Sequence, residues 1–314
     1  MSEQRVLVIE NPARLCIDIG RLKIERDGFA HTHIAPGDIA VLCLEHHTIT
    51  LSVAVLRTLA EAGCAVLVTD ARHLPCAMLH PLAATGLDAG RLRQQIALDA
   101  REQRAALWQQ LVSAKLATQA AALRILERNG ALRLERLATQ VQPGDKSNTE
   151  GQGAKHYWSN LFPDSFRRCK EGAEDPLNVR LNYGYAVLRA MIARALAAAG
   201  LNAALGLGHC NAGNAFNLAD DFIEPYRFLV DVHLVGDADT WSEAPEFDSR
   251  AKQSLLSFVK QLVRVAGQDM RLHAAIDATV ASFVRILDGK GKQLLLPDGI
   301  AISGDEPWAL TDGG

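Results

Sequence analysis

Two periods divide the chain. Over the first 80 residues, apolar and polar positions alternate in short runs, "RVLVIE", "RLCIDIG", "RLKIERDG", "FAHTHIA" and "DIAVLCLE", separated by Gly, Pro, Asn and Asp. Period-two alternation with many β-branched residues predicts strands. "VAVLRTLAEAGC" reads as one helix with Gly63 near its end, and "AVLVTD" as a further strand. The stretch "HPLAATGLDAG" at 80–90 interrupts both periods with Pro and Gly and reads as a linker. Beyond it the period becomes 3.6. That spacing predicts helices over 91–129, 131–140, 148–162, 176–199, 214–237, 248–265 and 270–288, with "GKGKQLLLPDG" as a late hairpin. The predicted class is α+β: a small β-rich N-terminal domain over 1–82, then a larger all-α domain over 88–314.

One predicted helix breaks its own pattern. In "GHCNAGNAFNLADDFIEPYR" (208–227), Asn214, Asn217, Asp221 and Glu224 fall within one stripe. At roughly 100° per residue they lie at about 0°, −60°, −20° and −80°. Ala215, Phe216, Ala219, Phe222 and Ile223 cover the rest, as in a buried helix. Buried carboxylates without partners cost several kcal/mol each, so a cation must meet Asp221 and Glu224. Arg227 and Asp231, four apart, can pair with each other, which leaves Glu224 without a local cation. Pro225 disfavours helical geometry at Glu224 and predicts a kink there. His209 just upstream has two readings, a hydrogen-bonded core histidine or a metal ligand.

Glu150 is equally two-sided. Ser147-x-x-Glu150 fits a capping box, with the serine as N-cap and Glu150 as its reciprocal partner. Gly151 and Gly153 in the first turns weaken a helix, yet let a neighbouring backbone or a phosphodiester come close to the helix start.

Composition narrows the function classes. With 314 residues, 48% apolar content and a net charge of −3, the chain is an ordinary globular protein with room for two domains. No unbroken apolar run of about 20 residues predicts a membrane span. The opening residues lack a signal-peptide pattern, and six dispersed cysteines read as buried reduced thiols of a cytoplasmic protein. Charge is segregated: Ala89 to Arg189 carries 16 Lys and Arg against 10 Asp and Glu, a local +6, and the remainder −9. That suits a phosphate-backbone partner, but taken alone it fits arginine-rich solvated helices better. "GLGHCNAG" lacks the third glycine of a dinucleotide fingerprint, and no zincin, P-loop or nucleophile-elbow motif is present.

Three ordered blocks, "EGQGAKHYW", "DPLNVRLNYGYAVLRAMI" and "GHCNAGNAFNLADDFIEPYR", resemble the signature blocks of the CRISPR adaptation integrases that insert new spacers, the third being most similar to the type II branch. The resemblance implies a metal-dependent DNA integrase or endonuclease that works by attack of a DNA 3′-hydroxyl on a phosphodiester of the array. It implies that Glu150, His209 and Glu224 hold Mg²⁺ or Mn²⁺ and carry catalysis, with Asp221 and Asn217 supporting them. It also implies double-stranded DNA with 3′ ends and repeat DNA as substrates, a homodimer joined through the β domains, and a small ferredoxin-like partner subunit. Gly208 and Phe228 depart from the type II pattern, which often has histidine and proline there, and Gly208 is expected to loosen the orientation of His209. Arg167, Arg168 and Lys170, after "LFPDSF", are the residues expected to contact DNA phosphates. Two other classes stay open: an architectural DNA-binding protein with a vestigial acidic site, and an unrelated helical metalloenzyme acting on small molecules.

Overall fold

The computed structural model describes residues 5–70, 75–79, 89–99, 102–163, 165–170, 172–236 and 247–300. The first part holds two four-stranded sheets. One is built from β1 (Arg5–Ile9), β5 (Ile39–Leu44), β7 (Ala65–Thr69) and β8 (Pro75–Leu79) in that order, parallel except for β8. The other runs β4 (Thr32–Ile34), β3 (Arg21–Glu25), β2 (Arg14–Asp18), β6 (Thr50–Leu51). Helix α1 (Val53–Glu61) closes the core between them through Val55 and Leu59.

Strand β5 is apolar without alternation because both its faces are covered. Leu42 packs with the second sheet and α1, whereas Val41 and Cys43 pack into the helical core. The two halves therefore share the first sheet. They are also tied by a buried polar cluster, in which Glu45 takes the Lys252 ammonium and a hydrogen bond of 2.6 Å from the Tyr183 hydroxyl. The expected linker at 80–88 lies outside the described residues.

The helical part is α2 (Ala89–Asp99), α3 (Glu102–Ile125), α4 (Ala131–Gln140), α5 (Thr149–Leu161), α6 (Pro176–Ala198), α7 (Asn217–Ile223), α8 (Phe228–Gly236), α9 (Ser249–Leu255) and α10 (Leu272–Leu287). Helix α3 is its axis, with Leu107, Leu111, Val112, Leu116 and Leu123 buried. Helix α5 lies close against it because residue 153 is glycine: a Cβ there would stand 2.1 Å from a Leu116 methyl. Helix α6 begins as its sequence demands, with Pro176 in the first turn and the Asp175 carboxylate accepting from the Asn178 amide at 2.9 Å.

Three helix expectations are corrected. The stretch 91–129 is two helices, α2 and α3. The stretch 214–237 is interrupted at Pro225, where a 3-10 turn (Glu224–Tyr226) joins α7 to α8, and Asn214 lies before α7. The part expected to be all-α contains a small sheet of β9 (Leu262–Val265), β10 (Gln268–Arg271) and β11 (Pro297–Ile300) in the order β10-β9-β11. Its tight turn places Ala266 at φ 50° and Gly267 at φ 75°, a two-residue hairpin connection, and the helix expected over 248–265 is instead α9, a 3-10 turn (Leu256–Lys260) and β9. The expected late hairpin is instead this third strand, paired with β9. Among the described residues no helix is long and apolar enough to cross a membrane. All six cysteines are free; burial pushes the Cys43 and Cys64 thiols up to about 12, but Cys76 and Cys210 are exposed, contrary to the expectation that all are buried.

Candidate active site

The start of α5 is capped differently from its sequence signature. Asn148, at φ 51°, is the N-cap and accepts from the Gly151 amide at 3.3 Å. The Asp145 carboxylate takes the Thr149 and Glu150 amides at 2.8 and 3.0 Å. Ser147 bonds only the Thr149 hydroxyl among these groups, so the expected capping box does not form. With its cap supplied by others, the Glu150 side chain turns to α3, where it meets the ammonium of Lys115. Gly151 serves the cap, since a Cβ would stand 2.7 Å from the Asn148 side-chain oxygen. The two glycines thus answer to neighbouring side chains.

Glu224 reaches the same ammonium from the opposite side. It sits at the end of α7, 5% exposed, with Lys115 Nζ 2.6 Å from Oε2 and Arg227 3.0 Å from Oε1. The sequence pairing of Arg227 with Asp231 is corrected: Arg227 turns to Glu224, while the Tyr157 and Tyr185 hydroxyls donate to Asp231. Burial alone would push the Glu224 carboxyl up, but Arg227 and Lys115 outweigh it and hold it at about 2. Lys115 behaves in mirror image: burial works to lower it, and Glu224 and Glu150 hold it raised. The Oε2 atom of Glu224 is buried, and its partner is the Lys115 ammonium.

Asp221 does a different task from Glu224. It is fully buried, and its two oxygens accept from the backbone amides of Leu207, Gly208 and His209 and from the His209 ring at Nδ1, 2.8 Å away. That bond, with the negative charge of Asp221 and Glu224, raises the His209 pKa against the lowering effect of burial. Asn217 adds two bonds to the same loop, donating to the carbonyls of Ala204 and Asn211 at 3.0 and 2.8 Å. The loop can wrap this tightly because residue 206 is glycine: a Cβ there would stand 2.3 Å from the His209 carbonyl. Asn214 stands apart from the loop clasp, bonded to Asp220 and Asn217.

The expectation that Gly208 loosens His209 is also corrected. A Cβ on Gly208 would stand 2.4–2.5 Å from the Trp108 ring, which meets the His209 ring edge-on at 5.8 Å. His209 is therefore held by Asp221 on one side and by Trp108 on the other. Gly208→Ala should displace Trp108 and cost about 1–3 kcal/mol, an overpacking effect. A thermal melt checks this, and an unchanged midpoint contradicts it.

The expected DNA contacts split. Arg167 and Lys170 are exposed. Arg168 is part-buried and bonds the side chains of Asn178 and Asn182 at 2.8 and 2.6 Å, with its guanidinium 5.4 Å from the centre of the Tyr185 ring. Arg168 thus anchors its own loop to α6. Together with Lys170, Arg189 and Arg227 it lines an open cleft of about 510 Å³.

Sequence reasoning missed Lys115. A signal existed: it follows Leu111 by four and Val112 by three, on the apolar stripe of α3 where a lysine requires a partner. Among the described residues, no three His, Cys, Asp or Glu side chains stand as a ligand set, and a lysine, Lys115, occupies the point where Glu150 and Glu224 converge. The donor chemistry nevertheless fits a hard divalent cation: two carboxylates meeting at one point, and an imidazole whose other nitrogen is tied to a carboxylate.

The match to known proteins covers this site and the fold around it. The family model described as CRISPR associated protein Cas1 matches residues 6–257. The chain belongs to the Cas1 family. A CRISPR-associated endonuclease Cas1 from Neisseria meningitidis serogroup C (strain 8013) is 36% identical over 299 residues, covering 94% of this chain and 96% of that protein. Two solved structures share the Cas1 fold. A casposase bound to integration product superposes with a TM-score of 0.75 at 20% identity, covering 94% of this chain and 92% of that one. A Cas6-RT-Cas1–Cas2 complex gives a TM-score of 0.72 at 16% identity, covering 94% of this chain and 36% of that chain. The β-rich first part followed by a helical part is the architecture of this family.

Proposed function

We propose that this Cas1-family chain is a metal-dependent DNA endonuclease and integrase that inserts new spacer DNA into a CRISPR array. The observation that carries the reading is the convergence of Glu150 and Glu224 on one cation beside an oriented His209. Glu150, Glu224 and His209 would hold the ion, His209 through Nε2, since Asp221 takes Nδ1. Bound there, Mg²⁺ or Mn²⁺ supplies a Lewis acid for the phosphoryl oxygen and for the leaving 3′-oxygen. The protein's own part is positional. Asp221 and Asn217 fix the histidine loop, Arg227 keeps Glu224 ionised, and Arg167 and Lys170 offer charge to the DNA backbone. The reaction is transesterification, in which a DNA 3′-hydroxyl replaces the leaving 3′-oxygen at a phosphodiester; water in its place gives hydrolysis.

The casposase was solved on an integration product and a Cas6-RT-Cas1 chain was solved with Cas2, which supports DNA as substrate and Cas2 as partner; DNA with free 3′ ends, repeat DNA and a ferredoxin-like form of that small subunit belong to the same proposal. A homodimer joined through the β-rich part belongs to the same reading. The test is incubation of labelled DNA and a repeat-containing target with Mn²⁺, with and without the partner subunit and chelator. Strand-joined products that vanish with chelator support the proposal, and their absence under all conditions sinks it.

Arg167 and Lys170 allow a cleaner binding test than the full triple. Changing both to Ala should weaken binding to unrelated sequences alike and flatten the salt dependence by about one unit of slope for each phosphate no longer neutralised. Arg168→Ala, measured separately, should also lower thermal stability, because the side-chain oxygens of Asn178 and Asn182 each lose a guanidinium donor. An unchanged salt slope in the double variant would move Arg167 and Lys170 to the solvated surface.

A further inference from the structure

Lys115 is the charged group at the centre of the site that the proposed chemistry does not use. It sits midway along α3 on the stripe of Leu111, Val112 and Leu116, and is 5% exposed. Its partners come from two other elements, Glu150 from the first turn of α5 and Glu224 from the turn between α7 and α8. Arg227 binds Glu224 through the other oxygen, so among the described residues Lys115 is the cation that touches both carboxylates. Two carboxylates brought to one point repel unless a cation lies between them. An ammonium on a four-carbon stem is a movable point charge, unlike the planar fork of an arginine.

We propose that Lys115 is the resident counter-ion of this carboxylate pair: it holds Glu150 and Glu224 converged before a divalent cation arrives, and gives way to that cation when it binds. The inference rests on Glu150 and Glu224 being the ligands of the proposed function. It makes Lys115 a positioning residue and a competitor of the metal at once. Removing its charge should therefore weaken the ion-free protein and strengthen metal binding, two effects of opposite sign. A lysine that only packs α3, or one that assists the loaded site, gives no such pair.

The test uses the full chain, Mn²⁺ titrations followed by electron paramagnetic resonance, and thermal melts with and without Mn²⁺. Lys115→Met keeps the length of the side chain and removes the charge; Lys115→Gln replaces it if the methionine variant does not fold. Without metal the variant should melt below the wild type. With Mn²⁺ it should bind about tenfold tighter or more, since a like charge beside the ion has been removed, and gain more melting temperature than the wild type does. Lys115→Arg, which retains the charge, should bind no tighter than wild type. Equal or weaker Mn²⁺ binding by the neutral variant overturns the proposal. Glu150→Gln separates the two ideas. If it weakens Mn²⁺ binding while Lys115→Met fails to tighten it, the counter-ion role alone falls. If Glu150→Gln leaves Mn²⁺ binding untouched, the ligand reading falls and the counter-ion role with it.

Discussion

Glu224→Gln is expected to leave a folded protein that no longer joins DNA strands, and Glu150→Gln should do the same. The two differ in what they cost the fold. Glu150 is about one-third exposed, and its helix is capped by Asp145 and Asn148, so the amide retains most of its setting. Its stability loss should stay near about 1 kcal/mol, that of one hydrogen bond. Glu224 is buried between two cations. Truncation to Ala would leave Arg227 and Lys115 short of a buried partner and cost about 3–5 kcal/mol, which confounds any activity loss with unfolding. Glutamine preserves the shape but also removes the charge that Arg227 and Lys115 face, so it too costs stability, and circular dichroism run beside the joining assay separates that loss from lost chemistry. Near-normal strand joining by either glutamine variant would remove that residue from the proposed ligand set.

Asp221→Asn should lose activity by a different route. An amide cannot accept from three backbone N–H groups and an imidazole at once, because one of its two ends is itself a donor. The loop carrying His209 should loosen, the ring should lose its fixed orientation, and strand joining should fall about 10–100-fold instead of vanishing. The same change removes the main influence that raises the His209 pKa. Followed by NMR, the His209 titration should therefore move to lower pH in the variant. An unmoved titration would show that Asp221 does not orient the ring. Complete loss of activity at every Mn²⁺ concentration, with Glu224→Gln rescued by excess metal, would reverse the roles of the two carboxylates.

The amino-acid sequence by itself determined several of the helices and the anomalous residues near them. Helix α4 spans 131–140 as its period predicts, α6 starts at the Asp-Pro pair, and α7 ends where Pro225 removes a donor. These features depend on neighbours within four residues, which the order of residues contains. The polar stripe of 214–224 was visible for the same reason, as was the family resemblance of the three blocks.

Pairings between distant elements were not legible in that way. Asp221 and Glu224 are three residues apart with the same charge, and nothing local says that one clasps a loop and the other meets an ion pair. Their difference arises because the 201–213 loop folds back over one face of α7 while α3 presents Lys115 to the turn that follows it. Arg227 was assigned to Asp231 on spacing, yet the interruption at Pro225 turns it to Glu224, and two tyrosines from α5 and α6 claim Asp231 instead. The pairing of β9 with β11 was missed because that strand lies about 30 residues downstream. A buried charge announces that it needs a partner, whereas the identity of that partner is set by which helices pack together, and only the tertiary structure decides that.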